Sequence, residues 1–302
     1  MKKIILFASG VLIAVCMLLS FNFFVEEPSQ ATAPAGKEIF RWKVDTLSQG
    51  VVLKTVHFTK NDLFGANQFI CVIEILPGSK ARLAFAHRPS LTPTSTIARE
   101  SNALAAVNGT FFDMVRGNSI CYLRIGGKQL GENTPQKPET NNRKYYQYAT
   151  MVLNSNGRPE LYVPDSNRHW EESHFDSTVT DAMTAGPMLL TDGKAVPQRK
   201  DRTFATHRHN RTALGIRPDG TVILFTVDGR TKQSAGMTLD ELAKTMLMLG
   251  CTNAMNLDGG GSTTMYVRGR ANGGIVNYPS DNKRFDHQGE RSVSNILMVM
   301  DN

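Results

Sequence analysis

Cysteine is scarce, with four in 302 residues. Cys16 falls in an amino-terminal apolar run, which leaves Cys71, Cys121 and Cys251, an odd number without framework spacing. A disulfide-stapled fold is therefore not indicated, even in a compartment that permits disulfides. Cys71 lies in an apolar strand pattern and Cys251 directly follows a helix pattern, so both read as small core residues. Lysine-rich blocks and basic-aromatic interleaving are also missing, which removes nucleic acid as an indicated partner. His207 and His209 form an H-x-H pair without a third ligand nearby, so they read as surface or substrate-contact residues before a zinc site. No composition break splits the chain after its first residues, and a hydrophobic fraction of 41% is ordinary for a globular protein.

The opening residues are informative. Lys2 and Lys3 precede an apolar run from Ile4 to Val25, then Glu26 to Gly36 is rich in Pro, Ala, Ser and Thr. This is an export signal. Ser29 and Ala31 offer small residues for cleavage, while a run of roughly 20 apolar residues is also long enough for an uncleaved anchor. Cys16 sits inside the run, away from its end, which argues against lipidation. The expected organisation is a signal peptide or anchor plus linker at 1–36 and one domain at 37–302. The protein is expected to be exported (periplasmic, secreted or membrane-anchored), touching a membrane only through the first segment. The formal charge is +7, and the leader does not alter it because Lys2 and Lys3 balance Glu26 and Glu27. An exported basic protein suits polyanionic neighbours.

Alternating apolar and β-branched residues predict at least two strands between Ile39 and Ile75, and another at Ala81–Ala86. Thr94–Glu100 reads as a short helix and Ala103–Val107 as a buried strand ending at Asn108. Gly126–Asn142 reads as a long surface loop or lid, Tyr145–Leu153 and Ala185–Leu190 as strands, and Ser155–Thr180 shows no period. Arg211–Ile216 and Thr221–Val227 form a hairpin through Pro218-Asp219-Gly220, which makes Asp219 a turn residue. Thr238–Leu249 is a helix with capping-box spacing between Thr238 and Glu241 and an apolar face of Leu242, Met246 and Leu249. The fold class expected is α+β, a single domain with a mixed, mostly antiparallel β-sheet and a few packed helices.

That helix feeds the stretch on which the function centres. A strand at Ala254–Leu257 delivers Asp258 at its end, followed by Gly259, Gly260 and Gly261 and the hydroxyls of Ser262 and Thr263. Successive glycines free the backbone to aim N–H groups at one anion, and equally suit a plain tight turn. Asn108-Gly109, Asp228-Gly229 and Asp258-Gly259 each place Asx-Gly after an apolar strand. They read either as three ends of one cleft or as three unrelated turns.

Several stretches together resemble the phosphodiester glycosidase family: N-G-T-F-F at 108–112, A-G-P-M-L-L at 185–190, R-T-A-L-G-I at 211–216 and V-D-G-R at 227–230. Further on come G-M-T-L-D-E-L-A at 236–243, N-L-D-G-G-G-S-T-T-M at 256–265 and E-R-S-V-S-N at 290–295. Thr110 stands where the family often has a second glycine, and Asn210 where it often has proline. The resemblance implies cleavage of a sugar from the phosphate of a glycosyl phosphodiester or phosphorylated polysaccharide, with C–O rupture at the anomeric carbon. Phosphate leaves readily at neutral pH, so one carboxylate acting as base or nucleophile can suffice. Asp228 and Asp258 are the acids implied, with Glu290 either a third catalytic acid or an ion-pair partner. Arg211, Arg230 and Arg291 are candidate phosphate clamps, with the Gly259–Gly261 amides and Ser262 completing the pocket and Asn108 holding sugar hydroxyls. Arg211 and Arg291 have a duller reading as braces paired with acids, and Asp113 as a turn cap. No cofactor is certain, and a divalent cation held by Asp228 or Asp258 with phosphate oxygens is compatible. The competing functions are a non-catalytic binder of phosphorylated cell-surface glycan and a phosphodiesterase that breaks P–O.

Overall fold

The computed structural model describes residues 39–301, so the expected leader and its cleavage positions lie outside the described residues. The largest sheet has eight strands in the order Lys43–Ser48, Val51–Leu63, Ala66–Ile75, Val222–Val227, Arg211–Ile216, Asn253–Asn256, Met188–Thr191 and Lys194–Ala195. A four-stranded sheet runs Met265–Val267, Ala105–Asn108, Ser292–Met300, Arg82–Pro93, and a five-stranded one runs Lys128–Gly131, Leu123–Ile125, Asp181–Ala185, Ala149–Leu153, Pro159–Tyr162. Side chains from all three, including Ile73, Leu214, Met255, Val107, Leu297, Met151 and Met183, share one apolar core. In Val222–Val227 the two-residue period divides the strand: Val222 and Leu224 face that core, while Ile223, Phe225 and Val227 face a second cluster with Leu242 and Met246 of the helix Leu239–Met248.

The α+β class holds, with three sheets where one mixed sheet was expected. Among the described residues every strand ladder is antiparallel, and the one parallel pairing is the isolated bridge Ser280–Gly289. The helix Leu239–Met248 begins at a capping box, in which Thr238 Oγ1 accepts from Glu241 N at 3.1 Å and the Glu241 carboxylate accepts from Thr238 N at 2.9 Å. Gly126–Asn142 is not all loop: Gly126 and Gly127, both at positive φ, turn a hairpin between Leu123–Ile125 and Lys128–Gly131. Tyr145–Gln147 is a 3₁₀ turn before the strand Ala149–Leu153, and the unassigned stretch holds a strand at Pro159–Tyr162 and a helix at Trp170–His174. Ala185–Leu190 is divided between sheets, with Asp181–Ala185 in the five-stranded sheet and Met188–Thr191 in the eight-stranded one.

Candidate active site

The three Asx-Gly strand ends meet. Asn108 Nδ2 donates to the Asp258 carbonyl at 2.7 Å, and the Asp258 amide donates to the Gly109 carbonyl at 3.0 Å. Asn210 joins the other pair: its carbonyl accepts from Gly260 N at 2.9 Å, and a Cβ on Gly229 or Gly259 would stand 2.7 Å from its backbone. That close approach requires glycine at both positions. Asn108 Oδ1 accepts from Thr212 Oγ1 at 2.7 Å and from Thr264 N at 3.3 Å. Its amide is spent beneath the loop, so Asn108 positions Asp258 and does not present itself to a sugar.

Beside this junction lies a cavity of about 300 Å³ lined by Phe111, Tyr146, Phe204, His209, Arg211, Arg230, Asp258, Gly259 and Gly260. Surface hollows elsewhere reach about 540 Å³, but this one combines a carboxylate, two guanidiniums and aromatic rings. Phe111 packs against Tyr146 with ring centroids 4.5 Å apart and against Phe204 at 6.0 Å. Asp258 Oδ1 accepts from Gly259 N at 2.8 Å, while Oδ2 has no partner among the described residues. Burial pushes the Asp258 carboxyl up to about 6, opposed by Ser262, the Gly259 amide and the charges of Arg291 and Arg230. The Ser262 hydroxyl is buried, with no other partner among the described residues.

The cations differ in how they are held. Arg211 is buried, with Nε donating to Met237 O at 2.8 Å and Nη2 to Phe204 O at 2.6 Å and His207 O at 3.1 Å. It is braced by carbonyls and by the Phe204 ring, 5.0 Å from its Cζ, and not by an acid. Burial lowers its pKa to about 9, which still leaves it charged at neutral pH. Arg230 is exposed, sits at φ 63 and packs over Gly260, where a Cβ would come within 2.7 Å of Nη2. Arg291 does not line the cavity; it pairs with Asp281 through Nε at 3.1 Å and Nη2 at 2.5 Å, and the pair lies against Gly261. Its charge nevertheless reaches Asp258. Of the three glycine amides, Gly259 N serves Asp258 Oδ1 and Gly260 N serves Asn210 O, so only Gly261 N–H is without a partner among the described residues.

Asp228 and Glu290 stand outside the cavity lining. Asp228 is fully buried; Oδ1 accepts from Asn277 Nδ2 and Oδ2 from Tyr278 N, each at 2.7 Å. Burial pushes its carboxyl up to about 8, against those two donors. Glu290 accepts from Ser95 N at 2.7 Å and Ser95 Oγ at 2.6 Å, closing the start of the helix Thr94–Glu100, and burial raises its pKa. Asp113 is a turn cap, with Oδ1 accepting from Val115 N and Arg116 N at 2.8 and 2.9 Å. His209 lines the cavity between Arg211 and Arg230, and burial with these charges drives its pKa down to about 4, so it is neutral at pH 7. A divalent cation fits the lining poorly, because Asp258 is its one carboxylate and two guanidiniums flank it. Among the described residues no three His, Cys, Asp or Glu side chains gather as metal ligands.

Sequence reasoning passed over Tyr146 and Phe204. Tyr146 belongs to a turn that reads as the start of a strand, and Phe204 to the four-residue helix Thr203–Thr206, too short for a period. The nearness of Phe204 to the R-T-A-L-G-I segment is the one sequence signal available, and Tyr146 has none.

Fold and site together define an α+β protein whose cavity sets one carboxylate beside two guanidiniums and an aromatic wall. The chain belongs to the phosphodiester glycosidase family, whose model matches residues 101–300. It is 29% identical over 212 residues to N-acetylglucosamine-1-phosphodiester alpha-N-acetylglucosaminidase of Bos taurus, covering 68% of this chain and 37% of that protein. To the Homo sapiens protein of the same name it is 44% identical over 90 residues, covering 30% of this chain and 16% of that protein. The chain thus spans little more than a third of these relatives at most. The catalytic domain of the zebrafish protein of that name, auto-inhibited by its pro-peptide, shares the fold with a TM-score of 0.62 at 20% identity, over 86% of this chain and 84% of that one.

Proposed function

We propose that this protein is an exported hydrolase that cleaves the bond between the anomeric carbon of a sugar and the phosphate of a glycosyl phosphodiester, in glycans or cell-envelope polymers. Family membership and the names of the bovine and human relatives support the reaction class. The observation that carries the reading is Asp258 Oδ2, without a hydrogen-bond partner among the described residues, in a cavity with two guanidiniums and an aromatic wall. Export is supported by Lys2, Lys3 and the apolar run that follows them.

The chemistry follows from the placement. Arg211 and Arg230 hold the diester phosphate, while the sugar lies against Phe111 and Tyr146. With a pKa of about 6, Asp258 is mostly ionised at pH 7 and takes a proton from the water that attacks C1. The C1–O bond breaks, its electron pair passes to the phosphate, and the guanidiniums offset the charge gained by the departing monoester. That leaving group needs no proton, which accords with a neutral His209 and one carboxylate in the lining. Asp228 and Glu290 act as framework: Asp228 fixes Asn277 and Tyr278, and Glu290 fixes the helix at Thr94.

The test is release of free sugar from a panel of sugar-1-phosphate diesters, with Asp258→Asn in parallel. Release abolished by the substitution is expected. Saturable binding without product would move the protein to the class of phosphoglycan binders.

A further inference from the structure

We propose that the alcohol on the far side of the cleaved phosphodiester is a hydrocarbon chain, seated in an apolar groove that lies beyond the Phe204–Tyr145 ring contact at the edge of the catalytic cavity. This rests on the phosphodiester reading and extends it to the leaving group. The groove, of about 520 Å³, is lined chiefly by Tyr145, Tyr148, Val163, Met188, Val196 and Pro197, and Val163 is 56% exposed at its lip.

A row of packed rings runs from cavity to groove. Tyr146 faces the cavity and Tyr145 the groove, and between them run Phe111 and Phe204, with successive centroids 4.5, 6.0 and 6.2 Å apart from Tyr146 to Tyr145. The groove is also tied to the strand that delivers Asp258. Asn256 donates from Nδ2 to Gly186 O at 2.8 Å and from its amide to Pro187 O at 3.0 Å, two residues before the catalytic carboxylate. In the proposed placement the phosphate of the diester sits at Arg211 and Arg230, and its alcohol crosses the Phe204 and Tyr145 rings to the groove.

The Gln198 and Arg199 side chains there are already occupied. Gln198 Nε2 donates to Met188 O at 3.0 Å and Val196 O at 2.7 Å, and its Oε1 accepts from Tyr145 Oη at 2.6 Å. Arg199 is held by Asp201 through Nε at 2.9 Å and Nη2 at 2.6 Å. Thr191 Oγ1 is buried without a partner among the described residues, and with the Tyr148 hydroxyl it is one of two spare hydroxyls there. A sugar alcohol needs several hydrogen-bond partners to replace water and would lose affinity here. An alkyl or isoprenoid chain needs none and gains from each methylene it buries, by up to about fourfold. An apolar groove left open beside a reactive centre is what such a chain covers.

The experiment is a kcat/KM series on diesters sharing one sugar and carrying methyl, butyl, octyl or a second sugar as the alcohol. The octyl diester is expected to exceed the methyl diester by at least about 30-fold, mainly through KM, and Val163→Asn to cut that preference at least about threefold. Equal rates for methyl and octyl, a preference for the sugar alcohol, or an octyl preference untouched by Val163→Asn would each overturn the groove assignment. If no diester is cleaved, the hydrolase reading fails, and calorimetry with octyl phosphate decides the groove separately. Binding of octyl phosphate but not methyl phosphate, weakened by Val163→Asn, supports it; equal or absent binding overturns it.

Discussion

Asp258 and Asp228 occupy equivalent places in the chain and different places in the proposed chemistry. Each is an aspartate followed by glycine just past a buried strand of the same sheet, and burial raises the pKa of each. Asp258 gives one oxygen to a local amide and keeps the other toward a cavity of about 300 Å³. Asp228 gives both oxygens to Asn277 and Tyr278, from a segment about fifty residues further along. In the proposed mechanism, what separates the reacting carboxylate from the structural one is whether distant chain fills its second oxygen.

Substitutions should separate the two sharply. Asp258→Asn is expected to keep the fold and lower kcat by at least about 100-fold, the scale of a lost positioned base. Asp228→Ala should do the reverse: about 3 kcal/mol of stability lost by denaturant unfolding, because two buried N–H donors lose their acceptor, with kcat of the folded protein within about tenfold. Equal damage to kcat from both would erase the distinction.

The pH dependences sharpen it further. Asp228 titrates near 8 in the fold and in the ordinary carboxylate range when unfolded, so between these values the native state holds the extra proton. Stability is therefore full below the unfolded value and falls as pH rises, by about 2 kcal/mol between pH 6 and 8. Melting of wild type against Asp228→Asn checks this, since the variant should lose that slope. Activity runs the other way, with kcat/KM dropping about tenfold per unit as pH falls below about 6 and Asp258 takes up a proton. A flat profile from pH 4 to 7 would remove Asp258 as the base.

Local signals were legible wherever the cause is local. The capping box at Thr238 and Glu241 and the Pro218-Asp219-Gly220 turn both follow from neighbouring residue types. The family motifs led to Asp258, Arg211 and Arg230. Partnership across the chain was not legible: Glu290 meets Ser95 at a separation of 195 residues, and Asn108 is spent on Thr212 and Asp258. A residue type shows what a side chain can bond to, and only the fold shows what it does bond to.

The most direct test of the account is hydrolysis of a glycosyl phosphodiester in ¹⁸O-labelled water, followed by mass spectrometry of both products. Label on the sugar is predicted, because water activated by Asp258 attacks C1. Label on the phosphate would mean P–O cleavage and would contradict the assignment of Asp258 to the anomeric carbon.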